Sequence, residues 1–237
     1  MVRIIQLAVG SLLLWGLACE PSVPPQEKEP ITNPVEATGV SFLALGDSYT
    51  IGESVPKAER WPVQLAAKLL AEGTEVSPPT IIARTGWTTD ELQAAIAASG
   101  EADTFGLVSL LIGVNNQYRG YPFAQYETEF VALLQRAIAF AEGDPKRVFV
   151  VSIPDYGATP FGQSGDPDKI GRELDRYNAY ADSICQAREI PFFNITPISR
   201  EAVNDPELVA SDNLHPSAKM YGQWVDLLWE EVKELVK

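Results

Sequence analysis

The stretch "FLALGDSYTIGE", residues 42–53, joins an apolar run to a segment of small and polar residues. An apolar run that stops at a glycine is typical of a strand ending in a turn. Ser48 follows this predicted strand directly, with Asp47 before it. Two interpretations are open from these residues alone. Ser48 is a nucleophile held at the end of a strand, or it is an ordinary turn serine.

Similar apolar runs recur along the chain and predict the fold. Five strands are expected, at 40–45, 79–83, 107–112, 147–152 and 191–195. Helical periodicity lies between and after them, with apolar faces at 61–69, 123–138 and 221–235. Nearly continuous apolar strands suit a parallel sheet that is buried on both faces. The alternation predicts a doubly wound, three-layer α/β domain with about five strands.

Polar residues and glycines follow several of these predicted strands. In doubly wound sheets, sites form beyond the carboxyl ends of the strands, where the strand order switches. Residues just after a predicted strand are therefore candidates for one site, and this position favours a functional Ser48. The candidates are Ser48, Gly86, Asn115 and Asp155.

The chain contains one histidine, His215, so sites built from several histidines are excluded. If an imidazole activates a serine here, His215 must be the base. Asp212 lies three residues earlier, and its carboxylate can fix the tautomer of the ring. Pro216 is expected at the first position of the closing helix. The alternative is a helix start whose Asp and His only cap it or face solvent.

Two loops offer donors for a developing oxyanion. Gly113 and Asn115 follow the predicted central strand, and Gly86 lies in the loop before a helix. Acyl transfer needs backbone N–H groups that no side chain obstructs, and a side-chain amide serves the same purpose. Glycine and asparagine are also common in turns, so each residue alone indicates little.

Taken together, these blocks resemble the SGNH (GDSL-type) hydrolases in order and spacing, over residues 41 to about 235. The likeness is greatest to bacterial secreted lipase-esterases and to the periplasmic thioesterase/lysophospholipase type. It implies a flavodoxin-like three-layer α/β/α sandwich and ester hydrolysis without a cofactor or metal. The matching blocks are Gly46-Asp47-Ser48-Tyr49, Gly86, Gly113-Val114-Asn115 and Asp212-x-x-His215.

The resemblance also implies a role for each matching residue. Ser48 is the expected nucleophile, His215 the general base and Asp212 the carboxylate that orients it. The oxyanion hole is expected from the N–H groups of Ser48 and Gly86 and from the Asn115 side chain. Asp47 is left as a structural turn residue.

Two positions depart from the family pattern. Tyr49 stands where the family usually has leucine, and we expect it to pack rather than react. Asn116 replaces the usual aspartate, and we expect altered local hydrogen bonding with catalysis intact. Thr50 rules out the G-x-S-x-G elbow of the α/β-hydrolases.

Residues 153–173 are rich in Gly, Pro and Asp and are interpreted as a long loop at the rim of the cleft. A disordered surface excursion is the alternative. From this loop Tyr156 and Phe161 are expected to contact an acyl chain, and Tyr118 is expected to contact substrate nearby.

The N-terminus predicts export. Arg3 precedes an apolar stretch that is typical of a signal peptide, taken as residues 1–18. Cys19 follows Ala18 in a sequence that resembles the lipobox of bacterial lipoproteins, although Gly16 departs from it. We expect lipid on Cys19, a Pro-rich tether over 19–39 and the hydrolase domain over 40–237. A lipid-anchored protein of the bacterial cell envelope follows, with secretion or a buried structural cysteine as alternatives.

Charge and cysteine content restrict partners further. A net charge of −14 opposes nucleic acid and anionic membrane surfaces, so the lipid is the only expected membrane contact. Two distant cysteines make no zinc cluster or redox pair, and Cys185 is expected in the core. The expected partner is a small-molecule or lipid ester, bound by a monomer.

Three classes of function remain open at this point. The first is a serine hydrolase of lipid or short-acyl carboxylic esters, with carbohydrate O-acetylesterase or acyl thioesterase activity as variants on the same site. The second is a flavodoxin-like binding lipoprotein, although the loop "GDSYTIGE" has two carboxylates and no lysine for an anionic ligand. The third is an inactive interaction protein on the cell surface.

Overall fold

The computed structural model describes residues 39–101 and 103–237. The predicted signal peptide, Cys19 and nearly all of the tether lie outside the described residues and stay predictions. In the part that is described, no helix combines the length and the apolar character needed to span a membrane.

A five-stranded parallel sheet forms the centre of the domain, with strand order β2-β1-β3-β4-β5. The predicted fold class is thus confirmed. All five predicted strands are present, each somewhat shorter than its apolar run. They are β1 (Phe42–Gly46), β2 (Thr80–Ala83), β3 (Leu107–Leu111), β4 (Val148–Val151) and β5 (Phe192–Phe193).

Nine α-helices flank the sheet in the described residues. Their bounds are α1 (Ser48–Ile51), α2 (Trp61–Ala71), α3 (Thr89–Ser99), α4 (Val114–Tyr118), α5 (Phe123–Phe140), α6 (Pro160–Gln163), α7 (Pro167–Gln186), α8 (Thr196–Arg200) and α9 (Ala218–Leu235). Short 3₁₀ turns cover Lys57–Glu59, Pro145–Arg147, Tyr156–Ala158, Glu201–Val203 and Pro206–Leu208.

The core lies between the sheet and the apolar faces of the long helices. Strands β1, β3 and β4 are buried along their whole length, whereas β2 at the sheet edge is partly exposed. Trp61 of α2 and Trp224 of α9 are fully buried, as the periodicity of those segments predicts. Fully burying an aliphatic side chain of the same face, such as Leu65, stabilises the fold by about 1.5–3 kcal/mol.

Cys185 is a buried residue of α7, which confirms its predicted place in the core. Burial raises the pKa of its thiol to about 12, so the thiol stays protonated and unreactive at neutral pH.

Two local predictions are wrong. Residues 153–173 are not one long loop, because they form a 3₁₀ turn, helix α6 and the start of α7. Both helices begin with a proline, after caps supplied by Thr159 and Asp166. Helix α9 begins at Ala218 rather than at Pro216, because the Ser217 side chain caps it by accepting from the N–H of Met220.

The carboxyl ends of β1, β2 and β3 are aligned with one another. Gly46 of β1 is paired with Ala83 of β2 on one side and with Leu111 of β3 on the other. Because β1 lies between β2 and β3, the loops that follow these strands meet at the switch in strand order. The candidate site residues after β1, β2 and β3 therefore lie side by side.

Candidate active site

Ser48 is the first residue of α1 and lies two residues after β1 ends. Asp47 starts the helix, since its Oδ1 accepts a hydrogen bond from the N–H of Tyr49 at 3.0 Å. A Cβ at Gly46 would collide with the side chain of Thr50, so only glycine lets α1 pack against the strand ends. The turn holds Ser48 at the floor of a cleft, with little of its surface exposed.

Asp47 is fully buried and contributes to this turn rather than to the cleft. Burial, only partly opposed by backbone hydrogen bonds, raises the pKa of this carboxyl to about 7. Its second oxygen has no partner among the described residues. A carboxyl in this state is a poor ion partner for an imidazole, which agrees with its prediction as a turn residue.

Asp212 and His215 form a close pair in the loop before α9. Asp212 Oδ2 contacts His215 Nδ1 at 2.6 Å, and Oδ1 accepts the backbone N–H groups of Leu214 and His215, both at 2.9 Å. A ring nitrogen facing a carboxylate carries the proton, which leaves Nε2 able to accept one. The pair thus fixes the tautomer that a general base needs.

The Asp212 carboxylate is held in its ionised form. Partial burial acts to raise its pKa, but hydrogen bonds from Ser54, His215 and Leu214 outweigh burial and hold the pKa well below its usual range. Asp212 therefore stays negative throughout the neutral range and can stabilise a protonated imidazole.

Gly86 and Asn115 lie beside Ser48 in the same cleft. Gly86 has φ +88°, a left-handed conformation that favours glycine. Asn115 Nδ2 donates to the carbonyl of Trp87 at 2.9 Å, which orients its amide and leaves the second N–H free. Arg119 donates to the Gly86 carbonyl and so ties the same loop from the other side.

Asn116 is buried behind this loop and anchors helix α3. Its Oδ1 accepts the N–H of Thr89 at 3.0 Å, and its Nδ2 donates to the Thr89 hydroxyl at 2.6 Å. That hydroxyl in turn donates to Glu129. An amide suits this place because an aspartate would compete with Glu129 for the single Thr89 hydroxyl proton.

Aromatic side chains form one wall of the cleft, which has a volume of about 270 Å³. Tyr118, Tyr156 and Phe161 have ring centroids 6.0–6.4 Å apart. Tyr118 is 57 % exposed and Phe161 41 %, so both rings are open to a ligand. All three were predicted as substrate contacts, and all three line the cleft.

Tyr49 packs edge-on against His215, with 5.8 Å between ring centroids. Tyr49 therefore packs in the interior, as predicted. Asp155, the fourth residue predicted to join the site because it follows a strand, does not line the cleft. It caps the 3₁₀ turn at Tyr156–Ala158 and pairs with Arg200 at 2.8 Å, so it stabilises structure outside the cleft.

Thr85, Leu214 and Ser54 are site residues that sequence reasoning missed. Thr85 and Leu214 line the cleft, and Ser54 contacts Asp212. Thr85 directly precedes Gly86, and Leu214 lies between Asp212 and His215, so their positions in the sequence could have indicated both. Ser54 carries no such signal, since its contact is made across 158 positions of sequence. In residues 39–101 and 103–237, no three His, Cys, Asp or Glu side chains cluster to hold a metal ion.

A serine at a strand end in the same cleft as an Asp–His pair is an arrangement that suits nucleophilic catalysis. A family model described as the GDSL-like Lipase/Acylhydrolase family matches residues 44–223, most of the chain. The chain belongs to this family and is an ester-hydrolysing enzyme. No curated protein matches it in sequence.

Solved structures with the same fold include enzymes of this type. The chain is similar to TesA (17 % identity, TM-score 0.65), with 82 % of this chain and 99 % of that one covered. It is similar to the psychrotrophic esterase EstA from Pseudoalteromonas sp. (19 %, 0.63; 82 % and 97 %). It is also similar to Axe2, an acetylxylan esterase from Geobacillus stearothermophilus (21 %, 0.60; 82 % and 94 %). At these identities the likeness establishes the fold.

Proposed function

We propose that the protein is a serine hydrolase that cleaves carboxylic esters through an acyl-enzyme. The observation that carries the proposal is the 2.6 Å contact between Asp212 and His215 beside a cleft that Ser48 lines. The proposed triad is Ser48, His215 and Asp212. Because Asp212 keeps the Nδ1 proton in place, Nε2 of His215 can take the Ser48 proton as the hydroxyl attacks.

The attack creates a tetrahedral intermediate with negative charge on the former carbonyl oxygen. We assign its stabilisation to the N–H groups of Ser48 and Gly86 and to the free Asn115 N–H. The intermediate collapses as His215 passes its proton to the leaving alcohol oxygen. Water, deprotonated by the same imidazole, then attacks the acyl-enzyme, and the acid leaves as Ser48 regains its proton.

We further propose a lipid or short-acyl ester as the substrate, since the acyl group can lie on the apolar rings of Tyr118, Tyr156 and Phe161. The small volume of the cleft favours a short or medium chain inside it. An acyl thioester or a carbohydrate acetate is the alternative on the same site, because aromatic rings also stack on sugars. The proposal of an acyl group bound on these rings is supported by their exposure, which is 57 % for Tyr118 and 41 % for Phe161.

The experiment is a substrate panel combined with covalent labelling. We expect the protein to turn over p-nitrophenyl esters, with a maximum at short to medium acyl chains, in preference to acetylated xylan and acyl-thioesters. We also expect a fluorophosphonate to label Ser48 at one equivalent, read by peptide mass spectrometry. A protein that hydrolyses no ester and leaves Ser48 unlabelled contradicts the proposal, and labelling with turnover of acetylated glycan alone would replace the substrate class.

We propose, finally, that the enzyme is exported and anchored to the cell envelope by lipid on Cys19, which lies outside the described residues. The basis is the apolar segment that ends at Ala18–Cys19 and the Pro-rich stretch after it. Wild type is expected in the detergent phase on phase partitioning, and the Cys19→Ser chain in the aqueous phase. A Cys19→Ser chain that stays with the detergent contradicts lipid attachment at this residue.

A further inference from the structure

The Asp212 carboxylate has a partner outside the triad. Ser54 Oγ donates to Asp212 Oδ2 at 2.6 Å, and the same oxygen accepts from His215 Nδ1 at 2.6 Å. Ser54 belongs to the segment after α1, whereas Asp212 lies in the loop before α9. The contact therefore joins the segment that carries the nucleophile to the loop that carries the acid and base.

The backbone of residues 48–54 is shaped to make this contact. The Ser48 carbonyl accepts the N–H groups of Gly52 and Glu53, so the chain turns tightly behind the nucleophile. Ser54 itself has φ +65°, a left-handed conformation that is uncommon for a residue other than glycine. Such a conformation costs free energy and is maintained where surrounding contacts require it. Here it accompanies a hydroxyl that reaches Asp212.

The residue before Ser54 makes a second contact, with the loop that follows β2. Glu53 accepts a hydrogen bond from the hydroxyl of Thr85, the residue before Gly86. The seven residues 48–54 thus contact both the acid loop and the loop of the proposed oxyanion donor. A shift of this segment would move Ser48 relative to each of them.

We propose that Ser54 is a positioning residue for ester hydrolysis, holding Asp212 so that Oδ2 faces His215. Two backbone N–H groups of its own loop hold Oδ1 of the carboxylate. Ser54 is the partner of Oδ2 that comes from outside this loop, so its hydrogen bond restrains the position of Oδ2, and with it His215, relative to the segment that carries Ser48. This inference rests on the proposed function, because it assigns Ser54 a role in the reaction of Ser48 and His215.

The test compares Ser54→Ala with Ser54→Gly. Both remove the hydroxyl, but glycine also adopts φ +65° without strain. We expect kcat to fall about tenfold in both variants with KM nearly unchanged, the size expected of one hydrogen bond to a charged group at an exposed site. Ser183→Ala is the matched control, because Ser183 is an exposed serine that bonds only its own helix in α7.

Proton NMR reports on the hydrogen bond between His215 and Asp212 without substrate. Since the chain has one histidine, its Nδ1 proton bonded to a carboxylate gives a single downfield ¹H signal that needs no further assignment. We expect that signal to broaden and move upfield in Ser54→Ala and Ser54→Gly, and to stay in place in Ser183→Ala.

Two results would overturn the inference. One is a kcat within about twofold of wild type together with an unmoved signal, since the hydroxyl would then hold nothing. The other is a loss in Ser54→Ala that Ser54→Gly restores, because that pattern assigns the effect to backbone strain. If no ester is hydrolysed, the proposed function fails separately, and the ¹H signal still decides whether Ser54 orders the Asp212–His215 pair.

Discussion

Ser48→Ala is expected to lower kcat for ester hydrolysis by about 10⁵–10⁶-fold, the loss seen when a serine nucleophile is removed. The proposed base, His215, then has no hydroxyl to deprotonate. Thr85, which follows β2 and also lines the cleft, donates its hydroxyl proton to Glu53 and so is not free to replace Ser48. What remains is the binding of substrate beside the oxyanion donors, which supports only slow attack by water.

This prediction is checked by steady-state kinetics on the best p-nitrophenyl ester, together with binding of the same ester's acid product. Binding should be retained, because alanine removes one oxygen and leaves the cleft walls in place. Ser77→Ala is the control: Ser77 bonds Gly39 near the start of the strands, away from the cleft. If Ser48→Ala keeps more than about one per cent of wild-type activity, Ser48 is not the nucleophile.

The fold was largely predictable because its elements carry strong local signals. Buried strands such as Leu107–Leu111 have no reason to alternate, so an unbroken apolar run marks them. Helix α9 shows its buried face at a spacing of three and four residues, from Tyr221 to Val232. The level strand ends then follow from parallel pairing, and they explain why residues far apart in sequence meet in one cleft.

The two wrong local predictions lie where capping residues, not composition, determine the helix starts. The abundance of Gly, Pro and Asp in 153–173 suggested a loop, yet Asp166-Pro167 is a cap followed by a proline at the first helical position. A proline at the first helical position is also the basis for the predicted start of the last helix at Pro216, two residues before its observed start at Ala218. There the residue after the proline, Ser217, supplies the cap and thus sets the start of α9.

The contacts of Asn116 and Ser54 could not be predicted for a different reason. Each depends on where the tertiary structure places its partner. Asn116 was expected to alter local hydrogen bonding, but only the fold shows that Thr89 and Glu129 surround it and favour an amide. Ser54 lies in a plain exposed turn, and nothing in its local sequence indicates a carboxylate 158 positions away.

Asp212→Asn is the second change with a large expected effect, and the structure determines how the new amide must be placed. Oδ1 of Asp212 accepts two backbone N–H groups, from Leu214 and His215, so only an oxygen suits that position. The amide nitrogen must therefore take the place of Oδ2, facing His215 Nδ1 and Ser54. A donor there forces Nδ1 to accept, which moves the ring proton to Nε2.

With its proton on Nε2, the imidazole donates toward Ser48 instead of accepting from it, and the protonated ring also loses its counter-charge. We expect kcat to fall by about 10⁴-fold with KM little changed, the loss typical of a triad set in the wrong tautomer. The downfield Nδ1 proton signal of the single histidine should vanish. Asp226→Asn, at an exposed residue of α9, makes the same charge change as a control and should keep both activity and signal.

Stability must be matched before these rates are compared, because Asp212 also contributes to folding. Its folded pKa lies below the unfolded value of 3.8, so its ionised form stabilises the fold above that pH, and the contribution is lost as pH falls toward the folded pKa. Asp212→Asn should thus melt at a lower temperature than wild type near neutral pH, with the difference shrinking in acid. Rates measured well below both melting temperatures separate the two effects. A folded Asp212→Asn protein with wild-type kcat would contradict the assignment of Asp212 as the carboxylate that orients His215.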